Sequence, residues 1–144
     1  MKAPEVEPPV QLSIPDDAKW LTVVRLAVSG VASRIGASLE EVDDLKVAVS
    51  EACTNAIDHA FPGQEAGQGA ICIRCHPGED RIRIDVEDGG CGFDPAGVQV
   101  VTDKAPEKRG GLGLFLIRKL MDEVEVVSRP GGGTRVTMVK RFQR

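Results

Sequence analysis

The chain has 144 residues, 42% of them hydrophobic and 3% aromatic, and a net charge of −4. That length fits one domain able to bury about 70% of its unfolded surface, and the acidic balance with so few aromatics supplies neither the basic footprint nor the stacking platforms of a nucleic-acid binder. No apolar run approaches the roughly 20 residues of a membrane helix, and the Pro- and Glu-rich residues 1–9 lack the core of a secretion signal, so a cytoplasmic protein with no direct nucleic-acid or membrane partner is expected.

In chain order, residues 1–15 read as an N-terminal arm and 16–144 as the folded domain. From Asp16 or Asp17, either able to N-cap a helix, apolar residues recur at Leu21, Val24, Val28, Val31 and Ile35, a helical spacing ended by Gly36. Ser38-Leu39-Glu40-Glu41 forms a capping box, with Glu41 placed to reach back to the Ser38 amide. A second helix runs from there to about residue 60. Two alternating strands follow, near 70–76 and 81–87. In the second, Ile82, Ile84 and Val86 share a face, and the same parity puts Asp88 on that face at the strand's end.

Residues 89–109 read as a long loop, a length usual for functional lids. A third helix covers 110–121, and 124–128 with 134–141 form a closing hairpin. Short turns between successive strands predict an α+β two-layer sandwich, a mixed and mainly antiparallel sheet with helices on one face. Cys72 and Cys75 form a C-x-x-C. In an alternating run, residues three apart point to opposite faces, so they cannot grip one metal. All four cysteines are read as reduced, small apolar side chains.

Three polar clusters carry the chemistry. Glu51 and Asn55 stand one turn apart on an edge of the second helix, with Asp58 and His59 on the same edge. An amide oxygen there suits a hard cation such as Mg²⁺, and the neighbouring carboxylate can deprotonate a hydroxyl attacking a phosphate. A solvated helix edge has the same pattern. In Asp88-Gly89-Gly90-Cys91-Gly92-Phe93, an acid on a buried face needs a partner: a purine amine, or a backbone amide in a turn. In Arg109-Gly110-Gly111-Leu112-Gly113-Leu114, glycines open a helix whose unpaired amides make an anion site. The cations Lys108 and Arg109 at that positive end favour an anion between them. No G-K-[ST] follows, and no strand precedes in Rossmann fashion, so neither standard phosphate loop applies.

Together E-A-C-T-N-A-I-D-H-A, D-G-G-C-G-F, R-G-G-L-G-L and G-G-G-T resemble the N, G1, G2 and terminal Thr boxes of the GHKL (Bergerat-fold) ATPases. The resemblance extends over nearly the whole chain from Asp17 and is nearest to the anti-sigma-factor serine-protein kinases of bacterial partner switching. It implies ATP and Mg²⁺ as cofactors. Asn55 would ligand the metal, Glu51 would be the general base on the attacking serine, and Asp88 with Thr134 would bind adenine. Gly90 and Gly92 would allow close approach of the base. Gly110, Gly111, Leu112 and Gly113 would present amides to phosphate, with Lys108, Arg109 and His59 lining the nucleotide site. Residues 94–108 would form the ATP lid, and Arg25 would grip a sigma factor. A STAS-domain anti-anti-sigma protein would accept the phosphate on serine, and the chain would form a homodimer. Asp58 stands where histidine kinases commonly carry a basic residue, which passes the basic role to Arg109 or the lid lysines. Two alternatives share the fold: an ATP-responsive regulator that binds a partner without kinase activity, and a detached sensor-kinase domain.

Overall fold

The computed structural model describes residues 8–59, 69–89, 99–101, 111–128 and 133–143. Strand β1 (Val10–Pro15) leads through a short 3-10 turn (Ala18–Trp20) into helix α1 (Leu21–Arg34), followed by α2 (Leu39–His59). Strands β2 (Ala70–Pro77), β3 (Arg81–Asp88) and β4 (Gln99–Val101) precede α3 (Gly111–Leu120), and β5 (Glu123–Ser128) with β6 (Thr134–Arg141) closes the fold. The sheet order is β1-β2-β3-β6-β5-β4.

The predicted punctuation holds. Gly36 takes φ +89°, and the amides of Gly36 and Ala37 return to the carbonyls of Ser33 and Ala32 at 3.1 Å each, ending α1. The capping box of α2 is reciprocal: Ser38 N–H donates to Glu41 Oε1 at 2.8 Å, and Glu41 N–H donates to Ser38 Oγ at 3.1 Å. The other carboxylate oxygen of Glu41 accepts the Gln143 amide at 2.8 Å. The Ser38 amide is the leading reason the Glu41 carboxyl is held below its ordinary range.

The parity of β3 also holds. Ile82, Ile84 and Val86 are buried with Ile71 and Ile73 of β2 and Met138 of β6. Against this face pack Val24 and Val28 of α1, Leu45 and Val49 of α2, and Ile117 of α3. Each such side chain contributes about 1.5–3 kcal/mol relative to exposure.

Five features depart from the sequence expectations. The arm read over 1–15 contains β1, which pairs with β2 in the register Val10↔Cys75 to Pro15↔Ala70. The loop read over 89–109, with the lid at 94–108, contains β4, which pairs with β5. The pairings among the described strands are antiparallel throughout, rather than mixed. Asp17 caps the 3-10 turn by accepting the Lys19 amide at 3.0 Å, so α1 starts later, at Leu21. Finally, Cys53 and Cys75 are buried free thiols, pushed by burial up to about 12 and about 11, whereas Cys72 is disulfide-bonded rather than reduced.

The other face of the sheet is polar and yet closed. Asp85 and Glu87 are 3% and 2% exposed. Arg83 and His76 lie on Asp85 at 3.3 and 3.1 Å, and Arg74 lies on Glu87 at 3.3 Å.

Candidate functional site

Asp88 ends β3 and Thr134 begins the neighbouring β6. The Thr134 amide donates to Asp88 Oδ1 at 2.8 Å, which fixes the half-buried carboxylate. Gly89 next to it takes φ +86°, a conformation that favours glycine. Gly133 is required for a different reason. A Cβ there would stand 2.4 Å from the Asp88 carbonyl oxygen and 3.0 Å from Oδ1. Any side chain at 133 therefore displaces the acid, and that cradle fits an adenine-binding carboxylate held in one place.

Glu51 and Asn55 lie half-buried one turn apart on α2, beside the buried Ala52, Cys53 and Ala56. Neither makes a side-chain hydrogen bond or ion pair to another described residue. Partly desolvated polar groups left in that condition are suited to a ligand, and an amide oxygen beside a carboxylate fits Mg²⁺ in donor chemistry. Asp58, one turn further, is exposed, and His59 is the last residue of α2. Gly111, Leu112 and Gly113 form the first turn of α3, where helix amides lack intrahelical acceptors. Arg118 and Lys119 occupy its last turn, matching the negative end of the dipole. Gly90, Gly92, Lys108, Arg109 and Gly110 lie outside the described residues, as do the side chains of His59 and of Gly111 to Gly113.

Element lengths relate these pieces. Lys140 Nζ donates to the carbonyl of Leu120, the last residue of α3, at 2.7 Å and to Asp44 Oδ2 of α2 at 3.1 Å. From this junction β6 runs back about 20 Å to Thr134, α2 runs forward about 17 Å to Asn55, and α3 runs back about 14 Å to its first turn. With both helices packed on the same sheet face, the three polar clusters fall at comparable distances from one junction.

Arg25 stands apart from these clusters. Its Nε donates to Ser50 Oγ at 2.8 Å, bridging α1 to the residue before Glu51. Next to it on α1, Leu26 is 69% exposed and Val23 is also exposed. Sequence reasoning gave Ser50 no role and quoted Gly133 only within the G-G-G-T motif. The signal for Gly133 was its place directly before Thr134, but a plain turn glycine reads identically until the approach to Asp88 is known. Among the described residues there is no group of three or more His, Cys, Asp or Glu able to hold a metal, and no helix long and apolar enough to cross a membrane.

Comparison with known proteins gives the family and agrees with the fold. The family model of the histidine kinase-like ATPase domain matches residues 14–140. The serine-protein kinase RsbW of Bacillus pumilus is 42% identical over 94% of this chain and 86% of its own length. The RsbW of Bacillus subtilis is 40% identical over 91% and 84%, and that of Listeria innocua 43% over 81% and 78%. A crystal structure of RsbU and RsbW domains from Mycobacterium tuberculosis superposes with a TM-score of 0.65 at 22% identity, over 96% of this chain but only 33% of that longer one, a likeness of fold. With a reciprocal capping box leading into the Glu51–Asn55 helix and an Asp88–Thr134 clasp at the far end of the sheet, the chain belongs to the histidine kinase-like (GHKL) ATPase family, in its RsbW-type serine-protein kinase branch.

Proposed function

We propose that the chain is a Mg-ATP-dependent kinase that phosphorylates a serine of a STAS-type anti-anti-sigma protein and sequesters a sigma factor. The observation that carries the catalytic part is the pair Glu51 and Asn55, one turn apart on α2, half-buried and without partners among the described residues. Asp88, held by the Thr134 amide, accepts the adenine amino group. The first turn of α3, with Gly111, Leu112 and Gly113, offers amides to the phosphates, and Lys108, Arg109, Gly110 and His59 complete that end. Asn55 supplies an oxygen to Mg²⁺, which when bound neutralises phosphate charge. The serine oxygen attacks the γ-phosphorus as its proton passes to the Glu51 carboxylate, and the bond to the ADP oxygen breaks.

Sequestration is assigned to α1. Arg25 is held at Nε by Ser50, and the exposed Leu26 and Val23 beside it suit a partner that brings a carboxylate and an apolar side chain. Homodimerisation and a cytoplasmic location complete the proposal and rest on the family resemblance. The test is transfer of labelled γ-phosphate to a STAS-domain protein, with ATP binding measured separately. The kinase reading requires transfer that Glu51→Gln abolishes while ATP binding survives. Binding with no transfer in the unaltered chain would leave the ATP-responsive regulator in its place.

A further inference from the structure

Lys140 touches none of the three polar clusters, yet it joins the elements that carry them. It stands on β6 with its side chain only 15% exposed. Its ammonium donates to the Leu120 carbonyl at the C-terminus of α3 and to Asp44 of α2. A cation there meets the negative end of the helix dipole and an orphan carbonyl at once. Other polar contacts at this end run within the helix or to β5 and β6: Met121 N–H on Ile117 O at 3.0 Å, an Arg118 guanidinium N–H on Val124 O at 3.2 Å, Asp122 N–H on Val139 O at 2.9 Å, and Arg141 N–H on Asp122 Oδ2 at 2.6 Å. Of these contacts, the Lys140 ammonium alone ties α3 to α2.

We propose that Lys140 is a positioning residue for the first turn of α3. It acts through the Leu120 carbonyl and Asp44 and does not touch nucleotide. The inference rests on the ATP reading given above, in which Gly111 to Gly113 face phosphate. A ten-residue helix is a rod of about 15 Å, so loosening its tie to α2 at one end, while Asp122 still holds it to β6, tilts the amides at the other. Misplacement by about 1 Å costs up to about a hundredfold at a preorganised site. The adenine end, Asp88 and Thr134, lies on the sheet and is insulated from that motion.

The test compares ATP with adenosine on the intact chain, by calorimetry for ATP and NMR titration for adenosine. Lys140→Met keeps the apolar stem and removes the ammonium. ATP binding is expected to weaken about tenfold, with adenosine unchanged within about twofold. Lys140→Arg, which can still donate to both acceptors, is expected to restore ATP. Equal weakening of both ligands, or of neither, overturns the proposal, because a merely structural lysine does not discriminate between them. Should Lys140→Met fail to fold, Asp44→Asn is read the same way, with a smaller ATP-selective loss expected and an unselective one overturning it. An unaltered chain that binds no ATP overturns the nucleotide reading and this inference together, and that result is seen before any variant is compared.

Discussion

At the Lys140 end of the molecule, Glu41, Asp44, Asp122 and Lys140 each meet a partner within the chain: the amides of Ser38, Gln143 and Arg141, the Leu120 carbonyl, and one another. At the Asp88 end, Glu51 and Asn55 meet none among the described residues, and glycines at 89 and 133 stand where a side chain would be strained or would clash with Asp88. The satisfied polar groups are those of the first end. The other end keeps its hydrogen-bonding capacity for something outside the chain, a division expected where a site trades stability for binding.

Substitutions should therefore separate the two ends, and the largest separation is expected at Glu51. Glu51→Gln should lower phosphotransfer by about 10²- to 10⁴-fold, the worth of a general base, while thermal unfolding moves by no more than about 0.5 kcal/mol. A substantial loss of stability would show that Glu51 belongs to the structural end after all. Asp88→Asn keeps an acceptor for Thr134 but turns an amide towards the adenine amine. ATP affinity, read by calorimetry, should fall about ten- to a hundredfold, since bonds involving a charged group are worth about 1.5–3 kcal/mol. Gly133→Ala forces a Cβ against the Asp88 carbonyl, and an ATP loss of about tenfold is expected from the displaced acid. Unchanged binding there would mean that Asp88 tolerates the shift.

The smallest effect is expected at Glu41, in the satisfied end. Glu41→Gln should cost about 1 kcal/mol of capping and leave ATP affinity alone. Its pH dependence has a definite sign. The Glu41 carboxyl sits below its ordinary 4.5 in the folded chain, so its contribution is complete above pH 4.5 and disappears as pH falls through the folded value. Denaturant midpoints of the unaltered chain and of Glu41→Gln should converge below that pH. Curves that stay parallel would remove Glu41 as a source of acid sensitivity.

Much of this division was legible in the sequence, because its signals are local. The capping box needs four consecutive residues, the stop at Gly36 needs one, and the face of β3 follows from alternation. Parity put Asp88 on the buried face and in need of a partner, and the Thr134 amide that meets it is a backbone partner of the kind the sequence left open beside a purine amine. What escaped depends on distant partners. β1, VQLSIP, follows two prolines and ends on a third, and becomes a strand only beside β2, whose paired residues lie 55 to 65 positions on. Alternation puts Arg83 and Asp85 on the face opposite Ile82 and Ile84 but does not tell that Asp85 is closed over by Arg83 and His76. Lys140 and Asp44 are separated by 96 positions, so nothing near either residue announces the tie.

The clasp between Thr134 and Asp88 also bears on which purine can enter. An ionised carboxylate only accepts hydrogen bonds, and here one oxygen is already committed to a backbone amide. In the proposed adenine role, the 6-amino group of ATP donates to this acid. The 6-oxo group of GTP in the same pose would set lone pairs against lone pairs. Buried polar groups left facing the wrong partner discriminate far more sharply than an apolar pocket does. In that proposed role, a single amide–carboxylate contact at the end of two strands would act as a filter on the nucleotide pool, admitting ATP and rejecting GTP.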